Sequence, residues 1–132
     1  MSVERVNPGE LAPPIGFSHA VRATSGTPVF LAGQTALDAD GVIVGEGIVE
    51  QFEIALGNLM TSLRAAGGSG EHLAKVTIFS VDPVDYRAHA RELGTIWRRL
   101  VGREYPAMTL VGVTRLWDDA ALVEIEGIAI LP

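Results

Sequence analysis

Residues 106 to 113, PAMTLVGV, contain no charge and have a proline at the start and a glycine near the end. Read as a strand, the stretch sends Ala107, Thr109, Val111 and Val113 to one face and Met108, Leu110, Gly112 and Thr114 to the other. Neither face is a water face. In a chain of 132 residues, one side of such a strand is covered by the chain's own helices, and the other side needs a ligand, another subunit, or both. This requirement limits the fold more than any other feature.

The rest of the pattern supplies one set of helices and one sheet. From Glu46 to Ala66 the apolar residues Ile48, Phe52, Ala55, Leu56, Leu59, Met60 and Leu63 recur at three and four, and Gly67-Gly68 stop the run: an amphipathic helix. LAKVTIFSV (73–81) reads as a strand, and Asp82-Pro83 then supply a cap and a first-turn proline for a second helix. Its apolar stripe is Tyr86, Ala90, Leu93, Trp97 and Leu100. Before these, FSHAVRAT, SGTP and VFLAGQ (17–34) read as a β-hairpin, and VIV (42–44) as a short strand. After them come strand 107–115, a turn at Trp117-Asp118-Asp119 and a last strand 121–131. The expected order ββ(β)αβαββ gives an α+β domain over residues 1–132, one mixed sheet with two helices on one face. An oligomer is the simplest cover for the bare face.

Composition excludes several function classes. There is no cysteine, so disulfides, thiol nucleophiles and thiolate metal sites are absent, and the chain suits a reducing, cytoplasmic setting. MSVERVNPGE carries charge where a signal peptide has an apolar run, and the longest uncharged stretches are about half a membrane span. A soluble protein without membrane contact is expected. Net charge is −6, and the only basic cluster, Arg98, Arg99 and Arg103, is explained by a helix end; nucleic acid is therefore an unsuitable partner. No two of His19, His72 and His89 have ligand spacing, so no metal site is expected, and GVIVGEG and GGSG lack the Lys-Ser/Thr of a phosphate loop.

Six blocks carry a resemblance: PPIGFSHAV, FLAGQ followed by D-x-D-G, QFxxALxNLxxxLxxAG, KVTIFxxD, YPAMTLVGV and VEIEGIA. In this order and spacing they resemble the RidA family of reactive intermediate deaminases, also called the YjgF or L-PSP endoribonuclease family, across nearly the whole chain. The resemblance implies a chorismate mutase-like fold and a homotrimer whose sheets form a central barrel, with three clefts between subunits. It also implies cofactor-free hydrolysis of imines and enamines to a keto acid and ammonia.

Carried over residue by residue, the same resemblance implies an altered cleft. Where the family's deaminases carry a carboxylate-gripping arginine after Pro-Ala, this chain has Met108. Phe17 stands for a tyrosine, Ala32 for a serine and Leu110 for a cysteine. Losing a charge-assisted bidentate contact costs about 1.5–3 kcal/mol of carboxylate binding, so an amino-acid-derived acid is not the expected best substrate, and the chain reads as a branch without the arginine. Gly33 and Gln34 match the Gly-Gln of the second strand, and Glu124 matches the glutamate that handles water. His19 replaces the usual glutamine, as in members resembling G-[FY]-S-H-A-V.

Each of these residues also has a structural reading. Glu124 is a general acid or base, or an interface ion pair; Glu126 reads as structural; His19 relays a proton or simply packs. Met108 and Leu110 line an adaptable apolar pocket or belong to a closed core. The expected function is therefore hydrolysis of an imine, enamine or related electrophile in the intersubunit cleft by Glu124 and His19. Phe17, Ala32, Gly33, Gln34, Met108 and Leu110 are the expected ligand contacts. The alternative is a non-catalytic binder of an apolar or aromatic metabolite. RNA cleavage finds no support in the charge.

Overall fold

The computed structural model describes residues 2–132. Its strands are β1 (Val3–Val6), β2 (Ala20–Ala23), β3 (Thr27–Gln34), β4 (Leu73–Ser80), β5 (Ala107–Gly112) and β6 (Val123–Leu131). The α-helices are α1 (Gly47–Ala65), α2 (Pro83–Ala88) and α3 (Ala90–Leu100). The main sheet has the order β3-β6-β4-β5, with β4 and β5 parallel and the other pairs antiparallel. The class is α+β with a mixed sheet, as the sequence implies.

Alternation along the strands assigns the two faces. Val123, Ile125 and Ala129 of β6 and Val76 and Ile78 of β4 are buried under Phe52, Leu56, Leu59 and Leu63 of α1 and Leu93, Ile96 and Trp97 of α3. The residues between them, Lys75, Thr77 and Phe79 on β4 and Glu124, Glu126, Ile128 and Ile130 on β6, lie on the opposite face, which none of the described helices covers. Phe30 of β3, paired with Ile128, is 77% exposed there.

The helix α1 ends as its glycines require. Gly67 takes φ +93°, its N–H donates to Arg64 O (3.0 Å), and that of Gly68 donates to Leu63 O (2.9 Å). Two polar side chains on its buried side fix loops. Gln51 donates to Ala120 O (3.0 Å) and accepts from Leu122 N–H (2.9 Å), while Asn58 donates to Thr35 O and Leu37 O (both 3.0 Å). The helix thereby positions both the entry to β6 and the exit from β3.

Three expectations need correction. The 17–34 segment is not a hairpin: β2 pairs with the N-terminal β1, a strand the pattern did not suggest, and β3 pairs with β6. Gly26 explains the change, because a Cβ there would overlap Leu131 O and its φ is +116°; the turn is a corner between two sheets. The expected second helix is broken at His89 (φ −105°, ψ 15°), so the described residues hold three α-helices rather than two. Asp82 accepts from Asp85 N–H (3.0 Å) to start α2, and then His89 Nδ1 takes the Asp85 carbonyl at 2.9 Å, in competition with its own N–H at 3.3 Å. Finally, VIV forms only a Leu37–Ile43 bridge, and β5 and β6 are shorter than 107–115 and 121–131.

Candidate functional site

On the uncovered face, Glu124 sits beside Phe79 of β4 and above Gly33 of β3. The ladder between β3 and β6 slips between Leu31 and Gln34, so Ala32 and Gly33 form a bulge facing one residue of β6. Bulges redirect side chains, and here the missing Cβ of Gly33 makes room for the Glu124 carboxylate. That carboxylate is half-buried and makes no hydrogen bond or ion pair among the described residues. Glu126, two residues on, is exposed opposite Thr77, and Gln34 is half-buried opposite Ile125.

Phe17 and His19 come together at the other edge of the sheet. Ser18 bridges Ala107, its N–H donates to Pro106 O (2.9 Å) and its hydroxyl to Tyr105 O (2.7 Å), so residues 17–19 extend the sheet beyond β5. The Phe17 and His19 rings meet edge to face, centroids 5.0 Å apart. His19 Nε2 lies 2.7 Å from Ala12 O; a carbonyl only accepts, so Nε2 is the donor in this contact.

Met108 and Leu110 share their register with Val76 and Ile78, which places them on the helix side of β5. Thr109, between them, accepts from Lys75 Nζ (2.8 Å) on the opposite side. Met108 opens into a cavity of about 500 Å³ between α1, α2–α3 and β5, with Phe52, Tyr86, Trp97 and Tyr105 in its wall. Leu110 is partly exposed beyond it.

One chain therefore brings together Gly33 with Glu124, and Phe17 with His19, but not the two groups. Glu124 on β6 and His19 beyond β5 are separated by three strand steps, roughly 14 Å, and Met108 and Glu124 lie on opposite faces. Within one chain they do not form a single site. Within one chain, Glu124 can take a proton from water above Gly33, and Met108 can offer only apolar contact.

Sequence reasoning read Tyr86 and Trp97 as a core stripe and Arg98 as a solvated helix end, and it assigned Arg91 no part. All four line the cavity. Nothing in their spacing distinguishes a cavity wall from a core. Among the described residues no helix is long and apolar enough to cross a membrane, and no cluster of His, Cys, Asp and Glu is arranged to hold a metal ion.

Comparison with known proteins follows the same architecture. A family profile described as Endoribonuclease L-PSP matches residues 9–131. A RutC family protein of Synechocystis is 35% identical over 100% of this chain and 99% of its own length. The human 2-iminobutanoate/2-iminopropanoate deaminase is 27% identical over 93% of this chain and 83% of its own. Among solved structures, a Rid family protein of unknown function from Yersinia pestis superposes with a TM-score of 0.88 at 32% identity, covering 99% of this chain and 100% of that one. E. coli TdcF, solved with bound serine, does so at 0.70 and 28%, covering 96% and 94%.

Proposed function

We propose, from the premise that this chain belongs to the endoribonuclease L-PSP family, also called RidA or YjgF, that it hydrolyses an imine, enamine or related small electrophile in a cleft between subunits of a homotrimer. Relatives named as 2-iminobutanoate/2-iminopropanoate deaminases support the reaction type. The observation that carries the reading is the unpaired carboxylate of Glu124, held above Gly33 on a sheet face the chain leaves uncovered.

In this reading, Glu124 removes a proton from water as the oxygen adds to the carbon of C=N, and returns it to the nitrogen. The hydroxyl of the resulting carbinolamine then gives its proton, through Glu124, to the nitrogen as the C=O bond forms and the C–N bond breaks, leaving a carbonyl compound and ammonia. His19 Nδ1, from a neighbouring chain, assists as a proton acceptor. Met108 and Leu110 supply no cation, so the preferred substrate lacks an α-carboxylate, which sets this chain in a branch without the arginine.

The test is ammonia release from N-unsubstituted imines generated in situ by enzymatic oxidation of primary alkyl and arylalkyl amines and of amino acids. The expected result is turnover of a neutral imine, reduced about 100-fold or more in Glu124→Gln. If wild type and Glu124→Gln are equally inactive on the whole panel, the hydrolytic reading fails.

A further inference from the structure

The cavity beside Met108 belongs to the cleft of the proposed hydrolysis, and its wall bears on what the substrate carries beside its C=N carbon. The space, about 500 Å³, is enough for a ring and its linker. Three observations describe what suits it.

The first is aromatic surface. Phe52, Tyr86, Trp97 and Tyr105 stand in the wall with Met108. Phe52 and Tyr86 meet edge to face with centroids 6.0 Å apart, and Trp97 stacks on Tyr105 at 6.1 Å, so the rings hold one another and the wall is preformed. A methionine adapts its shape to a ring, and its sulfur makes favourable contacts with one.

The second is the lack of charge on this wall. Burial pushes the Tyr86 phenol up to about 12, so the group is neutral at physiological pH. Arg91 and Arg98 also border the cavity, but both occupy exposed positions of α3, where water solvates their guanidinium groups.

The third is Gly94. It lies inside α3 and lines the cavity. Glycine within a helix is destabilising relative to alanine, so its presence there needs a reason. Its φ is not positive, and a Cβ built on it would meet only the end of the flexible Arg98 side chain, at 3.3 Å. Neither backbone conformation nor packing calls for glycine. What the missing side chain keeps is open space in the cavity.

We propose, resting on the hydrolytic reading of Glu124, that the substrate is the neutral N-unsubstituted imine of an arylalkyl amine, its ring seated against Phe52, Tyr86 and Met108 in the space that Gly94 leaves open. Such an imine is supplied by a two-electron oxidation. A primary amine loses one hydrogen from its α-carbon and one from its nitrogen to an oxidant such as a flavin, and C–N becomes C=N. Water added in the cleft then gives an aryl-bearing aldehyde and ammonia.

The test uses the whole chain. A flavin amine oxidase generates imines in situ from 2-phenylethylamine and n-hexylamine, an amino-acid oxidase generates one from phenylalanine, and ammonia release above the spontaneous rate is followed. The expected kcat/KM for the phenylethyl imine is at least about 10-fold above that of either other imine. Gly94→Leu, which puts an isobutyl group into the cavity, should keep the wild-type circular dichroism and bring the phenylethyl and hexyl values within about 2-fold of each other. Gly94→Ala, which adds only a methyl group, should fall between. Equal values for aryl and alkyl imines in the wild type, a preference for the phenylalanine-derived imine, or an unchanged ratio in both Gly94 variants would each overturn the proposal. Calorimetry with phenylacetamide and hexanamide on Glu124→Gln separates the pocket from the chemistry. Saturable binding of phenylacetamide, at least about 10-fold tighter than that of hexanamide and weakened when Gly94→Leu is added, upholds the aryl specificity even where no imine is hydrolysed. Equal binding of the two amides, or none, overturns it.

Discussion

The carboxylate of Glu124 occupies the space that a side chain on Gly33 would need: a Cβ built there overlaps Oε1 and lies 2.9 Å from Cδ. Gly33 is not among the glycines with positive φ, so the restriction is steric and not conformational. Gly33→Ala should therefore leave the fold intact, within about 0.5–1 kcal/mol, while pushing Glu124 out of place. Its ammonia-releasing activity should fall to the level of Glu124→Gln, and the double variant should lose no more than either single one, because both remove one function. Full additivity of the two losses would show that Gly33 and Glu124 act separately.

Phe30 tests the uncovered face. A phenylalanine 77% exposed, in register with Ile128 on a sheet whose other face carries the helices, is a hydrophobic surface awaiting a partner. Light scattering should give a trimer for the wild-type chain. Phe30→Asp should give monomer with unchanged far-ultraviolet circular dichroism, since no core residue is altered. A wild-type chain that stays monomeric at micromolar concentration would remove the intersubunit cleft.

The bare face was legible from one strand. The absence of a water face in PAMTLVGV and the shortage of helices in a chain of this length lead directly to it. Helix α1 was legible for the same reason, because its apolar spacing is unbroken to Gly67. The misplaced pieces depend on contacts distant in sequence. Nothing near Gly26 announces that Leu131 O will fill the space beside it, and so a corner between sheets reads as a hairpin. The break at His89 comes from a side chain competing for one carbonyl, which periodicity cannot register. The family resemblance nominated Glu124, His19 and Met108, but which sheet face each occupies depends on register, and register is a property of the pairing.

Gln51 offers a stability prediction with a defined origin. It is buried and links α1 to Ala120 O and Leu122 N–H, just before the strand that carries Glu124, with a longer bond to Gly45 O at 3.3 Å. Gln51→Leu fills similar volume but leaves these backbone groups unpaired, at a cost of about 2–4 kcal/mol in urea denaturation. Activity per folded molecule should fall as well, because the entry to β6 loses its anchor. A loss below about 0.5 kcal/mol would mean that water replaces the amide without penalty.

The helix break predicts a pH dependence. The pKa of His89 is raised above its ordinary 6.5, first by the hydrogen bond of its ring to the Asp85 carbonyl, with the Asp85 and Glu92 carboxylates adding to the effect and partial burial opposing it. A folded pKa above the unfolded one means that the protonated imidazole stabilises the fold. That contribution is complete below about 6.5 and is lost as pH rises through the folded value. Titration of the His89 ring by NMR should give a midpoint above 6.5. The urea midpoint of the wild type, relative to His89→Gln, should fall as the pH rises above about 6.5. His89 joins α2, which carries Tyr86, to α3, which carries Arg91 and Trp97, so the same titration should loosen the cavity wall. Parallel pH profiles for wild type and His89→Gln would show that the Asp85–His89 contact contributes nothing to stability.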